Sequence, residues 1–143
     1  MKFQIAIATV LVIGVSCEES VGPQLPPGPH MIVRFGFADD PTGASDFTAR
    51  ASRASLLDSV RAEFGLPVDQ RRFLNGPIRA AASGENLGWT WAFTFDQWHL
   101  ADATAELCDA TPQYVQENLA DWIAEVGDYC PWSAFVKDTS WVP

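Results

Sequence analysis

Residues 89–95 read WTWAFTF, an alternation of large aromatic side chains with threonine and alanine. Successive side chains of a β-strand point to opposite faces of its sheet, so this alternation predicts a strand with one aromatic face. The chain is 48% hydrophobic over its 143 residues, a composition that excludes a disordered protein and can cover such a face. We therefore expect this strand to face a core rich in aromatic side chains.

The elements before this strand follow from local patterns. Residues 31–37 are rich in β-forming side chains and predict a strand. Apolar residues recur at helical spacing from about Ser52, and Gly65 is expected to end that helix. Residues 71–82 predict another strand, which we expect at a sheet edge or with a bulge, because Pro77 has no N–H to donate.

Three further elements follow the aromatic strand. Residues 102–108 alternate apolar with polar side chains, which indicates either a strand or, because alanine favours it, a short helix. Thr111 and Pro112 suit the N-cap and first position of a second helix that Gly127 ends. Residues 132–136 predict a final strand. The helix is expected to bury an apolar stripe made of Val115, Leu119, Trp122, Ile123 and Val126.

This order of elements predicts one α+β domain over residues 31–143. The expected architecture is a single antiparallel-rich sheet of four to five strands with two helices on one face, a variant of the ferredoxin-like plait.

The amino terminus has the pattern of a secretory signal peptide over residues 1–16. Lys2 provides a positive charge, and residues 5–15 form an almost unbroken apolar run. About 11 apolar residues are too few to cross a hydrocarbon core ~30 Å thick. We therefore expect export rather than a membrane-spanning helix.

Cys17 stands directly after small residues, an arrangement that resembles a bacterial lipobox. In that case Cys17 is lipidated and becomes the new amino terminus, and the Pro/Gly-rich residues 17–30 form a tether. The alternative is ordinary signal cleavage nearby, which leaves a soluble periplasmic or secreted protein with residues 17–30 as a plain linker. Residue 14 is glycine where lipoboxes usually have leucine.

The charge of the chain excludes some partners. Eighteen acidic residues outnumber nine basic ones, for a formal net charge of -9. Nucleic-acid binding needs clustered lysine and arginine, so we do not expect it. For the same reason we expect contact with a membrane only through the lipid anchor.

Cys108 and Cys130 are the only cysteines of the predicted domain. Export permits a disulfide between them, which by loop-closure entropy would stabilise the fold by roughly 3 kcal/mol. Two separately buried thiols are the alternative.

Three segments together resemble a known family: residues 89–91 (WTW), 106–110 (ELCDA) and 129–132 (YCPW). They are similar to the amino-terminal domain family named after a calmodulin-binding protein, which also occurs alone in small exported bacterial proteins. The resemblance covers about residues 32–137 and implies a fold and a pairing of the two cysteines, but no established activity. Calmodulin binding is not expected, because calmodulin targets are basic helices and the second helix here is acidic.

No nucleophile, phosphate-loop or metal motif is present in the sequence, and no cofactor or metal is expected. The candidate binding residues are Trp98 and Trp132, whose rings could stack on a sugar or an apolar peptide if exposed. Trp132 could instead cover the disulfide. Glu106 is expected to share a face with Cys108, and a buried carboxylate there would need a partner. His99 with nearby carboxylates could form a metal or hydrolytic site.

These observations predict an exported, lipid-anchored small domain that acts as a binding or interaction module at the cell envelope. Its partner would be a protein, a peptide or a saccharide. The alternative is a hydrolase or metal-dependent enzyme that uses His99 and neighbouring carboxylates.

Overall fold

The structure is a computed structural model that describes residues 28–143. The signal peptide, Cys17 and most of the linker lie outside the described residues. The strands are β1 (His30–Phe37), β2 (Phe47–Ala51), β3 (Phe73–Ala80), β4 (Trp91–Phe93), β5 (His99–Ala101), β6 (Asp128–Tyr129) and β7 (Ala134–Val142). The helices are α1 (Ala54–Glu63), α2 (Pro112–Glu117) and α3 (Leu119–Asp121), with short 3-10 turns at Val68–Gln70 and Glu106–Cys108 and a π-helical turn at Trp122–Val126. Within residues 28–143, no helix has both the length and the apolar character needed to span a membrane.

The first sheet has three antiparallel strands in the order β2-β1-β7. Strand β1 buries Met31, Val33 and Phe35, the period-two pattern that its sequence predicts. Its pairing with β7 shifts register between Arg34 and Phe35, where β7 carries one extra residue. The predicted first and last strands are therefore present, and the last one continues to Val142.

The second sheet forms around β3, which pairs with β5 through Phe73–Asn75, with β6 through Gly76–Pro77 and with β4 through Ile78–Ala80. The expectation of an edge strand is wrong, because β3 is the strand that the other three share. Proline is tolerated because the ladder changes partners at this point, where an N–H is not needed.

Aromatic side chains from both sheets form the core. Phe47 of the first sheet lies 5.4 Å from Trp91 and 5.9 Å from both Phe93 and Tyr129 of the second, measured between ring centroids. Phe35 stacks on Phe47 at 5.4 Å. Large buried rings dominate core energetics, so these contacts hold the two sheets together.

The α+β class is confirmed, but the single-sheet, ferredoxin-like arrangement is wrong because there are two antiparallel sheets. The physical reason is β2, a short strand that no local pattern indicates. It occupies one edge of β1 while β7 occupies the other, so no edge of β1 is left for the aromatic strand. That strand pairs with β3 instead.

The aromatic strand is also shorter than the predicted span of 89–95, because only β4 has strand geometry. After it, the Thr94 N–H donates to the carbonyl of Pro77, and Asp96 takes a left-handed backbone with φ 57°. The Asp96 carboxylate accepts hydrogen bonds from the N–H groups of Ser52 (2.7 Å) and Arg53 (3.0 Å), just before α1. The chain thus leaves the sheet to satisfy the start of a helix.

The predicted helices are both present, with the second one interrupted. Helix α1 lies within the expected span from Ser52 to Gly65. The Thr111 hydroxyl accepts the N–H of Tyr114 as an N-cap, as the sequence predicts. Asn118 then departs from helical geometry, with φ -119° and ψ 24°, and separates α2 from α3. Residues 102–108, where strand and helix were both open, form an irregular segment that ends in the second 3-10 turn.

The turn after β1 is held by the carboxylate of Asp40. It accepts hydrogen bonds from the Thr42 hydroxyl at 2.6 Å and from the N–H groups of Gly43 and Ser45. These bonds, that of the Thr42 hydroxyl first, lower the pKa of Asp40 to about 2. The acidic residues of this turn are therefore part of the fold's hydrogen bonding.

Candidate functional site

The irregular segment before α2 is fastened to the strand β6 side of the molecule. Cys108 and Cys130 form a disulfide with their Cα atoms 5.1 Å apart, so the predicted pairing is present. Beside it, the N–H of Cys130 donates to the carbonyl of Cys108 at 2.8 Å. The Tyr129 hydroxyl donates to the carbonyl of Ala110 at 3.0 Å. The pKa of Tyr129 is raised, first by burial and then by the charge of Asp109, so the hydroxyl keeps its proton.

An open groove lies between this fastened segment and the second helical region, with a volume of about 760 Å³. Its lining consists of apolar, aromatic and acidic side chains, with no lysine, arginine or histidine. The lining residues are Glu106, Leu107, Asp109, Ala110, Thr111, Tyr114, Asn118, Asp121, Trp122, Glu125 and Val126.

The apolar part of the groove is unusually open to solvent. Leu107 is 75% exposed and Tyr114 is 54% exposed, although both are large hydrophobic side chains. The ring of Tyr114 meets the buried Trp122 edge to face, with centroids 6.1 Å apart. The indole N–H of Trp122 donates to the carbonyl of Asp128 at 2.9 Å, which fixes the ring beneath the groove. These contacts give the groove a rigid aromatic floor.

Four carboxylates surround that floor, those of Glu106, Asp109, Asp121 and Glu125. Among the described residues, none of the four is within ion-pair distance of a lysine, arginine or histidine. Only Asp109 has a backbone partner, the N–H of Trp132, at 3.0 Å. The groove therefore carries an uncompensated negative charge.

The basic side chains are engaged elsewhere on the molecule. Their partners are Asp46 for Arg34 and Lys137, Asp58 for Arg61, Glu63 for Arg72, Glu85 for Arg79 and His30 for Arg50. For Glu85, burial alone would raise the pKa, but hydrogen bonds from Arg79 and from the Ala82 N–H lower it on balance. Such buried pairs keep these cations away from the groove.

A family model matches residues 31–141, and it describes the N-terminal domain that is named after a calmodulin-binding protein. The chain belongs to that family. No curated protein and no solved structure matches the chain. The matched span contains both sheets, the disulfide and every residue that lines the groove. The resemblance carried by the three short sequence segments is thus confirmed.

Two of the candidate binding residues lie outside the groove of this N-terminal domain. Trp98 is fully buried in the core, where its N–H donates to the carbonyl of Arg50, so its ring is not open to a ligand. His99 is exposed in β5 and lines none of the four cavities found in residues 28–143. Over the same residues, no group of three or more His, Cys, Asp or Glu side chains could hold a metal ion.

The other two candidates lie on different surfaces of the domain. Glu106 is exposed at the rim of the groove, so the expectation that it shares a buried face with Cys108 is wrong. The reason is the 3-10 turn, whose period of three residues replaces the alternation of a strand. Trp132 is 42% exposed and lines a separate depression with Arg71 and Phe135, in which neither cysteine takes part.

The sequence analysis did not single out Leu107, Tyr114, Asp121 and Glu125 of the groove. A signal for three of them exists, because Tyr114, Asp121 and Glu125 recur at i, i+7 and i+11, one face of a helix. That face lies beside the buried stripe and was covered by the assignment of the stripe to the core. No helical pattern marks Leu107, which the disulfide places there.

Proposed function

We propose that this chain is an exported interaction module, anchored to a membrane by lipid on Cys17, that binds its partner in the groove. The observation that carries the proposal is the exposure of Leu107 and Tyr114 in a concave site bounded by the disulfide. Exposed, clustered apolar side chains with a polar rim are typical of protein and ligand contact sites.

The apolar floor gives a partner something to bury. Fully burying a leucine side chain stabilises by about 1.5 to 3 kcal/mol, and Leu107 has most of that still to gain. The Tyr114 ring adds further exposed area at a low cost in side-chain entropy. The floor is already ordered by the ring pair with Trp122, so a partner would not have to organise it.

Export is supported by the disulfide, because disulfides persist in oxidising compartments and are rare in the cytosol. The leader and Cys17 point the same way from sequence. The enzymatic alternative lacks comparable support, since His99 is exposed on β5 and lines none of the cavities of residues 28–143.

The lipid anchor is tested by intact mass of the protein purified without reduction from its native cell envelope. We expect a chain that begins at Cys17, carries diacylglycerol and acyl groups, and lacks two hydrogens at the disulfide. A Cys17→Ser variant should leave the membrane fraction. Unchanged membrane association of that variant would contradict the lipid anchor without touching the groove.

Binding in the groove is tested by placing a photo-reactive phenylalanine analogue at Leu107 in the native cell. The matched control places it at Leu87, another exposed leucine, 56% accessible, that does not line the groove. We expect a discrete covalent adduct from position 107 and none from position 87. Equal labelling at both positions, or none at either, would refute the groove as the binding face.

A further inference from the structure

We infer that the groove takes an extended peptide segment that carries basic side chains alternating with apolar ones. The inference rests on the proposed binding function of the groove and names the chemistry of its partner. Three properties of the site support it: the sign of its charge, the apolar floor, and the spacing of the carboxylates.

The charge selects a cationic partner. Four carboxylates line the groove and no basic side chain accompanies them, while the arginines and the lysine of residues 28–143 that form ion pairs do so with other acids. Like charges gathered beside an apolar surface repel one another more strongly than in bulk water. A bound cation relieves that repulsion, whereas a neutral sugar leaves it and an anion increases it.

The floor selects a partner that is more than a cation. A simple ion or a fully polar chain would leave Leu107 and Tyr114 exposed. A leucine-like side chain can bury against Leu107, and an ammonium or guanidinium group can lie over the exposed ring of Tyr114. Since no acidic group of residues 28–143 is arranged to hold a metal ion, the positive charge is best supplied by spaced side chains.

The spacing selects an extended backbone. Asp121 and Glu125 are four residues apart in the second helical region, which separates them by about 6 Å along the axis. Alternate residues of an extended peptide are about 6.6 Å apart and point to the same side. Lysines at every second position can therefore meet both carboxylates while the residues between them present apolar groups.

The test uses the full chain secreted with Cys17→Ser and three fluorescein-labelled peptides of eight residues. The first alternates lysine and leucine, the second has glutamine in place of lysine, and the third has glutamate. We expect binding of the lysine peptide by fluorescence anisotropy, at least about tenfold weaker binding of the glutamine peptide, and none of the glutamate peptide.

A pair of charge-matched variants separates the groove from the overall acidity of the protein. Asp121→Asn with Glu125→Gln removes two charges from the groove, and we expect about tenfold weaker binding of the lysine peptide. Asp69→Asn with Asp102→Asn removes two exposed charges outside the groove and should leave the affinity unchanged. Equal weakening by both pairs would mean non-specific attraction and would overturn the inference.

Failure of the inference and failure of the proposed function give different results. Equal binding of the lysine and glutamine peptides, both weakened by Leu107→Ser, would leave the groove as a binding site and overturn its preference for cations. No binding of any peptide, with the photo-adduct at position 107 still formed, would overturn the inferred partner class alone. Loss of that adduct would remove the proposed function itself.

Discussion

Removing the disulfide is the perturbation whose size follows most directly from the structure. Cys108 and Cys130 are 22 residues apart in sequence and their Cα atoms lie 5.1 Å apart in the fold. Closing a loop of this length restricts the unfolded chain and stabilises the folded one by about 3 kcal/mol. A domain of this size is stable by about 5 to 15 kcal/mol, so the loss is a large fraction of the total.

Urea unfolding followed by tryptophan fluorescence measures this loss. The change is Cys108→Ala with Cys130→Ala in the chain that also carries Cys17→Ser. With a urea slope of about 1 to 3 kcal/mol/M, the midpoint should fall by about 1 to 3 M. Alanine is chosen because both sulfur atoms belong to buried residues, where a serine hydroxyl would need a new partner.

The control is the chain with both cysteines, measured oxidised and fully reduced. The oxidised-to-reduced difference isolates the cross-link, and the reduced-to-alanine difference isolates the small cavities left by the sulfur atoms. A loss below about 1 kcal/mol on reduction, with an unchanged slope, would refute the reasoning, because it would mean that the unfolded chain is not constrained by this bridge.

Three further changes probe the fold. Gly76→Ala should destabilise the protein by about 1 to 3 kcal/mol in a thermal melt, because a Cβ there would lie 2.6 Å from the Cα of Trp98; an unchanged melting temperature would contradict that contact. Glu63→Gln should cost about 3 kcal/mol in urea, because it leaves the buried side of Arg72 without its carboxylate, and a cost below about 1 kcal/mol would show that the pair is dispensable. Because the folded pKa of Asp40, about 2, lies below its ordinary value of 3.8, its stabilisation is complete above pH 4 and lost as the pH falls toward 2; Asp40→Asn should flatten the pH dependence of unfolding in that window, and an unaltered slope would disprove the role.

Elements with a local signal were predictable from sequence. Strand β1 and helix α1 have periodic apolar residues, and Thr111 with Pro112 marks the start of α2 by cap chemistry alone. Each of these signals depends only on neighbours within a few residues. Long-range partners were not needed to recognise them.

Strand β2 shows why the sheet arrangement was not predictable. Its residues Phe47 to Ala51 are too few for a clear alternation, and four of the five are buried. Its outer edge is satisfied by a distant side chain, since the N–H of Thr48 donates to the amide oxygen of Asn86 at 2.6 Å. A strand held by a partner 38 residues away leaves no mark in its own sequence.

The disulfide connects the stability of the domain to the proposed site. The groove wall from Glu106 to Ala110 has only one 3-10 turn of regular structure, so its own backbone bonds cannot fix it. Four connections from residues 129–132 hold it instead: the disulfide, the backbone bond between the two cysteines, the Tyr129 hydroxyl, and the N–H of Trp132.

A wall fixed in this way places Leu107 before any partner arrives, so little conformational entropy remains to be lost on binding. Without the bridge, a partner would first have to order the segment that carries Leu107 and two of the four carboxylates. The two segments that brace each other, 106–110 and 129–132, are also two of the three that carry the family resemblance. Their sequence is therefore accounted for by one physical task, which is to hold an irregular acidic wall against the core.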